Sequence, residues 1–484
     1  MTRNFDVVVV GGGTAGLTAA LAARYEGATV ALVERDGRLG GDCTFYGCVP
    51  SKALIEIAQT VSDTRRLVED GVMTSVPVLD FGAFVERQRL IVAEIARDER
   101  DERFTSVGIE LVYGPASFLG SRELAVGDAR LRGSRFVVAT GSEAAVPPLA
   151  GLADVPYVTN RTVFELSELP GRLIVLGGGS IGLELAQAFQ RFGSEVTVVE
   201  MLDHLLPHDD PEAGAAVERI LTGDGIELRL GARVVEARGR PGEIELILED
   251  GRVHGEVLLV AAGRRASVAG LGLENIGVSL DNGYVRVDRR CRTSVGHVYA
   301  AGDVTGGLQF THVAAHEGAV AGRNAAGKRA KIDERVAPWV TFIDPEVAHV
   351  GLTEDAARRR HGRIRTVAFP ITRVDRARIG RHSDGFVKLV TARRPLLGWL
   401  GGGQLVGAQI VGPRAGELIH ECALAIHTRM FAGRLAQMIH AYPTMSMALQ
   451  QATSRFFPIG RALVDCDDGD CSVSAAPGSV PHLR

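Results

Sequence analysis

The sequence predicts an α/β chain built on two nucleotide-binding βαβ units, the second inserted in the first, followed by a smaller α+β domain. Three observations carry this. The first is an internal repeat, in which a strand, a glycine-rich turn, a helix and a second strand ending on glutamate occur over 5–34 and again over 173–200. The second is a set of apolar strands running into glycine turns, at 135–139, 257–261 and 297–301. The third is a change of texture near residue 337, where short alternating strands and one helix replace the βαβ pattern.

The elements follow in chain order. Residues 5–10 form a continuous apolar, β-branched run, the pattern of a strand buried on both faces. Gly11-Gly12-Gly13-Thr14-Ala15-Gly16 follows, then helical spacing over 17–25 and a strand over 28–33 that ends on Glu34. Two helical stretches, 51–72 and 81–104, lead to the strand at 135–139 and a Pro-rich crossover at 146–156. The second copy is a strand at 173–176, Gly177-Gly178-Gly179-Ser180-Ile181-Gly182, a helix at 183–192 and a strand at 195–199 ending on Glu200. The last domain shows strands at 347–350, 386–390 and 406–410 and a helix at 416–428. We therefore divide the chain into 1–150 and 269–336 for the first unit, 151–268 for the second, 337–457 for the α+β domain and 458–484 for a flexible tail.

A G-x-G-x-x-G turn brings backbone N–H groups to a pyrophosphate at a helix N-terminus, and the acid ending the next strand accepts from a ribose diol. Two copies in this context point to two dinucleotides, and hydride exchange between a nicotinamide and a flavin is the natural pairing. The carboxylate of Glu200 repels a 2′-phosphate, and Met201 and Leu202 follow it rather than arginine, so NADH is expected over NADPH.

Cys43 and Cys48 flank Gly47 and precede Pro50. On a regular helix, residues five apart point about 140° away from each other, so pairing requires an irregular backbone, for which Gly47 and Pro50 are suited. Such a pair beside a helix start is poised for reversible redox chemistry. Cys466 and Cys471 repeat the C-x4-C spacing near the C-terminus around an acidic, glycine-bearing loop, while Cys291 and Cys422 read as small core residues. With 54 basic against 58 acidic side chains and a net charge of −4, nothing marks a nucleic-acid or anionic-membrane partner. No apolar run spans a bilayer and the start leads directly into a strand, so a soluble cytoplasmic protein is expected.

The stretch from Gly40-Gly41-Asp42-Cys43 through Cys48-Val49-Pro50-Ser51-Lys52 resembles the signature of the pyridine nucleotide–disulfide oxidoreductases, the family of dihydrolipoamide dehydrogenase, glutathione reductase and mercuric reductase. Ala139-Thr140-Gly141, Ala262-Gly263-Arg264, Ala300-Ala301-Gly302-Asp303 and 407–412 follow in the family's order. The resemblance implies an FAD enzyme in which NAD(P)H reduces FAD and FAD reduces the Cys43–Cys48 disulfide. It makes Cys43 the interchange thiol, Cys48 the charge-transfer thiol, and Lys52 a cation near the flavin paired with Glu184. Gly11, Gly13, Gly16 and Glu34 would hold the adenosine half of FAD, with Asp303 at its ribityl or phosphate region. Gly41, Thr140, Gly141, Gly263 and Thr311 complete the cofactor-binding candidates, and Gly177, Gly179, Gly182 and Glu200 take the nicotinamide dinucleotide. A homodimer is implied, each active site completed by the partner's C-terminal domain, which makes 337–457 a dimerisation domain. No bound metal ligand set is assigned.

The sequence departs from the family in three places. The family's His-Pro-Thr-x-x-Glu dyad is replaced by Tyr442-Pro443-Thr444-Met445-Ser446-Met447, so Tyr442 stands where the catalytic histidine is expected, as in mercuric reductase. His440, two residues upstream, is an alternative base. Ser180 replaces a tyrosine lid found in several relatives, which opens the nicotinamide pocket to oxidase or quinone side reactions. Cys466 and Cys471 resemble the C-terminal shuttle pair of large thioredoxin reductases and mercuric reductases. The acceptor expected first is a small or protein-borne disulfide reached through that tail, then a soft metal ion of the mercuric type. A diaphorase or quinone reductase is the third reading.

Overall fold

The computed structural model describes residues 2–76, 78–382 and 384–457, and the tail carrying Cys466 and Cys471 lies outside them. The chain divides into two compact units. The first gathers the residues up to 207 with 217–334 and 341–343, and the second gathers 208–216, 335–340 and the described residues from 344 onward.

The first unit holds a mixed sheet and a parallel one. In one, β1 (Thr2–Val10) leads through α1 (Thr14–Tyr25) to β2 (Val30–Glu34). After α2 (Gly41–Tyr46), α3 (Cys48–Glu69) and α4 (Phe81–Ala96) come β3 (Ile109–Tyr113), β4 (Ala116–Gly120), β5 (Glu123–Val126) and β6 (Ala129–Val138). The strand order is β3-β2-β1-β6-β5-β4. The β1, β2, β3 and β6 pairings are parallel and the β4–β5–β6 edge is antiparallel. Val7–Val10 are buried throughout, as a strand covered on both faces requires.

The second sheet is built from β7 (Tyr157–Val158), β8 (Arg172–Leu176), β9 (Glu195–Val199), β10 (Glu227–Arg229) and β11 (Val257–Val260), with α5 (Ser180–Phe192) after β8. Its order is β10-β9-β8-β11-β7. The chain then returns to the first sheet: β12 (Val298–Ala300) pairs in parallel with β6 and feeds α6 (Thr311–Ala325). Helix α6 packs on α1, where a Cβ on Gly318 or Gly322 would strike the backbone of Ala15 or Ala19. These two glycines therefore set how closely the helices approach.

The second unit is built on a sheet of β13 (Pro338–Thr341), β14 (Glu346–Gly351), β15 (Ile364–Pro370), β16 (Phe386–Ala392) and β17 (Gln404–Gly412), ordered β13-β14-β17-β16-β15, with β14, β17, β16 and β15 paired antiparallel. Helices α7 (Ala415–His427) and α8 (Met447–Ser454) contribute Ile419, Cys422, Ala448 and Leu449 to its core.

One sequence expectation is corrected. The helical stretch at 81–104 is not one helix. It stops at Ala96, passes through a 3₁₀ turn at Arg97–Glu99 and resumes only over Asp101–Thr105, because Arg97 to Glu102 offer charge and no apolar periodicity. Residues 208–216 group with the second unit. The buried ammonium of Lys388, ion-paired to Asp210 at 3.4 Å and Glu212 at 2.9 Å, gives the reason. Among the described residues no helix is long and apolar enough to cross a membrane.

Candidate active site

Cys43 lies in α2 and Cys48 is the first residue of α3, with Gly47 between the helices at φ −130° and ψ −109°. The break turns two thiols five residues apart towards one another. Both are free thiols, and the Thr311 hydroxyl at the start of α6 bridges them, 3.2 Å from Cys48 Sγ and 3.3 Å from Cys43 Sγ.

Their environments differ in sign. The hydrogen bond from Cys43 pulls the Cys48 thiol down to about 6, against burial and with help from Thr311 and the Lys52 charge. The same hydrogen bond, together with burial, pushes Cys43 upward, and the Glu99 carboxylate adds to that push. The first proton therefore leaves Cys48.

Lys52 lies one turn further along α3. Its Nζ donates to Glu184 Oε2 at 2.8 Å and sits 4.5 Å from the centre of the Phe342 ring. The other oxygen of buried Glu184 accepts from the Phe342 N–H at 2.8 Å, so the carboxylate is satisfied on both sides. Ser180, at the start of α5, accepts from the Thr341 hydroxyl at 2.8 Å.

The two glycine turns share one geometry. Gly11 and Gly177 take φ +111° and +117°, where a side chain is strained and a Cβ would meet the carbonyl of Ala139 or Ala261. A Cβ on Gly16 or Gly182 would strike the carbonyl of Gly11 or Gly177. Gly179 faces open space, as do Gly141 and Gly263, and Gly13 meets only the Gly41 backbone. Glu34 accepts from the Gly12 N–H at 2.6 Å, and Glu200 accepts from the Gly178 N–H at 2.6 Å.

One network escaped the sequence reading. Asp303 accepts from the Ser142 hydroxyl at 2.6 Å, and Arg264 joins Ser142 (2.6 Å), Asp303 (3.5 Å) and Asp42 (2.7 Å). Asp42 also accepts from Asn160 at 3.1 Å and Arg161 at 3.2 Å. The motif glycines pointed to this region, but no sequence signal joins Asp42, Ser142 and Arg264, because their contact is made by the sheets.

Tyr442 and His440 belong to the second unit. The Tyr442 hydroxyl donates to Asp375 at 3.1 Å, and that hydrogen bond and the carboxylate's charge hold its pKa above the usual phenol range. His440 has an almost wholly buried side chain, with Nε2 3.1 Å from Glu421 and Nδ1 3.1 Å from the Met438 carbonyl. Both ring nitrogens are thus engaged within the unit.

The family model for pyridine nucleotide-disulphide oxidoreductases matches residues 5–318, and the model for the dimerisation domain of the same family matches 337–453. The chain belongs to this family. It is 34% identical to a mercuric reductase of Bacillus cereus over 94% of this chain and 72% of that protein. It is 33% identical to a dihydrolipoyl dehydrogenase of Bacillus subtilis over 93% of this chain and 98% of that one. Among solved structures it matches the HOCl-induced flavoprotein disulfide reductase RclA of Escherichia coli. The TM-score is 0.82 at 28% identity, covering 93% of this chain and 99% of that one, and RclA has also been solved as a Cu(II) complex.

The protein is accordingly an FAD-dependent pyridine nucleotide-disulphide oxidoreductase with a dimerisation domain. Its residues fit the flavin. The cradle at Gly13 and Gly41 leaves no room for a Cβ on Gly41, and the Thr140 hydroxyl is buried without a hydrogen-bond partner among the described residues, a donor left for a bound group.

Proposed function

We propose that this enzyme uses NADH to reduce a soft metal ion captured by Cys43 and Cys48, with a disulfide as the second acceptor. The observation that carries the first reading is the proton chemistry of the second unit. A disulfide substrate needs a group to protonate its leaving thiol, yet a tyrosine fills the family's histidine position and both nitrogens of His440 are occupied. A thiophilic cation needs no such proton, and soft thiolates are its preferred ligands. Kinship with mercuric reductases and the Cu(II) complex of RclA support this reading, while kinship with dihydrolipoyl dehydrogenase supports the second.

Gly11, Gly13, Gly16, Glu34, Gly41, Thr140, Gly141, Asp303 and Thr311 would hold FAD, which when bound accepts hydride from the nicotinamide and passes two electrons on. Gly177, Gly179, Gly182, Glu200 and Gly263 would hold NADH, and the Glu200 carboxylate disfavours a 2′-phosphate. Cys48 offers a thiolate near neutral pH and Lys52 balances its charge. Binding a dication displaces the Cys43 proton and completes a two-sulfur site. In sum, NADH and the divalent ion become NAD⁺, a proton and the zero-valent metal. In a cytoplasmic homodimer, Tyr442 would come from the partner, and Cys466 and Cys471 would deliver the ion.

The test is NADH oxidation by purified holoenzyme with Hg(II) in excess thiol, with lipoamide or glutathione disulfide, and with a quinone. Turnover with Hg(II) that disappears in Cys43→Ser is expected. Turnover with a disulfide but not Hg(II) would reverse the order of the two readings, and quinone reduction undiminished in Cys43→Ser would favour a diaphorase.

A further inference from the structure

The formal charge of −4 is spread unevenly along the chain. Between residues 354 and 394 lie eleven arginines and one lysine against four carboxylates, an excess that the balanced total conceals. One group of these arginines gathers at the end of the second unit's sheet where β15 begins and β16 stops. The pairing of Ile364 with Ala392 brings Arg363 and Arg393 to that end, and the arginine-rich helix Glu354–His361 closes just before it. Arg358 is paired with Glu354 at 2.7 Å, but among the described residues no carboxylate pairs with Arg363, Arg393 or Arg394. The connection from β16 to β17 at this end turns leucines outward. The N–H groups of Arg394 and Gly398 donate to each other's carbonyls at 2.9 Å and close a tight turn. Leu396 stands at its apex, fully exposed and at φ +65°, a conformation that a bulky side chain rarely adopts. Leu397 and Leu400 in the same connection are exposed too. Trp399 lies under the Arg365 guanidinium, 4.3 Å from the ring centre, and Arg393 Nε lies 3.7 Å from where a Cβ on Gly398 would stand.

We propose that the β16–β17 connection docks on an anionic membrane surface: Leu396, Leu397 and Leu400 enter the acyl boundary while Arg363, Arg393 and Arg394 engage the headgroups. The shape favours a bilayer over a protein partner. A leucine at the apex of a tight turn is a convex projection, which a protein could receive only in a matching pocket, whereas lipid closes around a projection of any outline. The arginines supply the complementary charge at the level where headgroups lie, and their stems can cover apolar surface while the guanidinium groups stay in water. Trp399, half-buried behind the leucines, is of the residue type that the membrane–water boundary accommodates best. Contact of this kind lies on the bilayer and asks for no spanning helix.

The experiment is co-sedimentation of the holoenzyme with vesicles of phosphatidylcholine and phosphatidylglycerol in equal parts, and with vesicles of phosphatidylcholine alone. The wild type should pellet with the anionic vesicles, stay in solution with the neutral ones, and be released as salt is raised. Leu396→Ser combined with Leu400→Ser should weaken the partitioning by about tenfold or more. Arg393→Gln and Arg394→Gln should each weaken it by about fivefold. Flavin content and NADH oxidation equal to wild type verify the fold of every variant. A wild type that stays in solution with the anionic vesicles would overturn the proposal and leave an acidic protein surface as the partner. Pelleting unaltered by the leucine changes would overturn it too, tracing the binding to charge elsewhere on the surface. A leucine variant that elutes as a monomer in size-exclusion chromatography, where the wild type elutes as a dimer, would assign the apex to the subunit interface instead.

Discussion

The two nucleotide-binding units use one backbone device and put different things on it. In both, a positive-φ glycine ends the first strand, a second glycine lets the helix pass its carbonyl, and a glutamate accepts the turn's N–H at 2.6 Å. The helices then diverge. Helix α1 buries Ala15, Ala19 and Ala23 against the sheet and α6, and bears no reactive side chain. Helix α5 carries Ser180 and Glu184, the latter reaching Lys52 beside the thiols. A dinucleotide turn thus fixes where a cofactor lies but not what happens to it, and chemistry resides on the helix face the turn leaves free.

The largest effect should come from separating the units. Gly16→Val drives a side chain into the Gly11 carbonyl, and the purified protein should carry no flavin in its visible spectrum. Gly182→Val makes the same collision with Gly177, yet should retain flavin while stopped-flow reduction by NADH slows by about 100-fold or more. Loss of flavin from both variants would break the division of labour.

Lys52→Met tests the link from α5 to the thiols. Buried Glu184 would keep only the Phe342 N–H. Because Lys52 is partly exposed, the cost in denaturant unfolding should be about 1–3 kcal/mol. The pH midpoint for Cys48 alkylation should rise above about 6, since the positive charge that favours its thiolate is gone.

On the first unit, burial and then the nearby charges of Glu334 and Asp303 raise Glu317 to about 7, although the Gly302 N–H donates to it at 2.7 Å. An acid raised on folding contributes most below its unfolded value near 4.5 and loses that contribution as pH climbs through 7. Glu317→Gln should therefore be near neutral at pH 4 and stabilising by about 2–3 kcal/mol at pH 8, read from urea unfolding at the two pH values. The smallest effect should be Ser180→Tyr, which adds bulk at the start of α5 and should lower the rate of NADH-dependent oxygen uptake modestly. An unchanged or higher rate would remove Ser180 from the account.

Much of this was legible in the sequence because it depends on local order. The strand–turn–helix repeats, Gly47 between the cysteines and the i to i+4 step from Cys48 to Lys52 are all written within a few residues. What was not legible depends on folding at a distance. Glu99 sits in the stretch read as one helix over 81–104, and the break at Arg97–Glu99 returns its carboxylate to Thr44. Arg264 meets Asp42 across 222 positions. His440 looked free to act as a base because its partner, Glu421, lies 19 positions upstream on α7.

The central claim is that electrons from the nicotinamide reach Cys43 and Cys48, and an anaerobic NADH titration of the holoenzyme tests it most directly. Flavin and one disulfide should together take up about two equivalents per chain, since each is a two-electron couple, and an active tail pair should bring this to about three. Cys43→Ser should lower the uptake by one equivalent. An uptake near one in wild type, unchanged in Cys43→Ser, would mean that the flavin alone is reduced and that the dithiol stands outside the electron path.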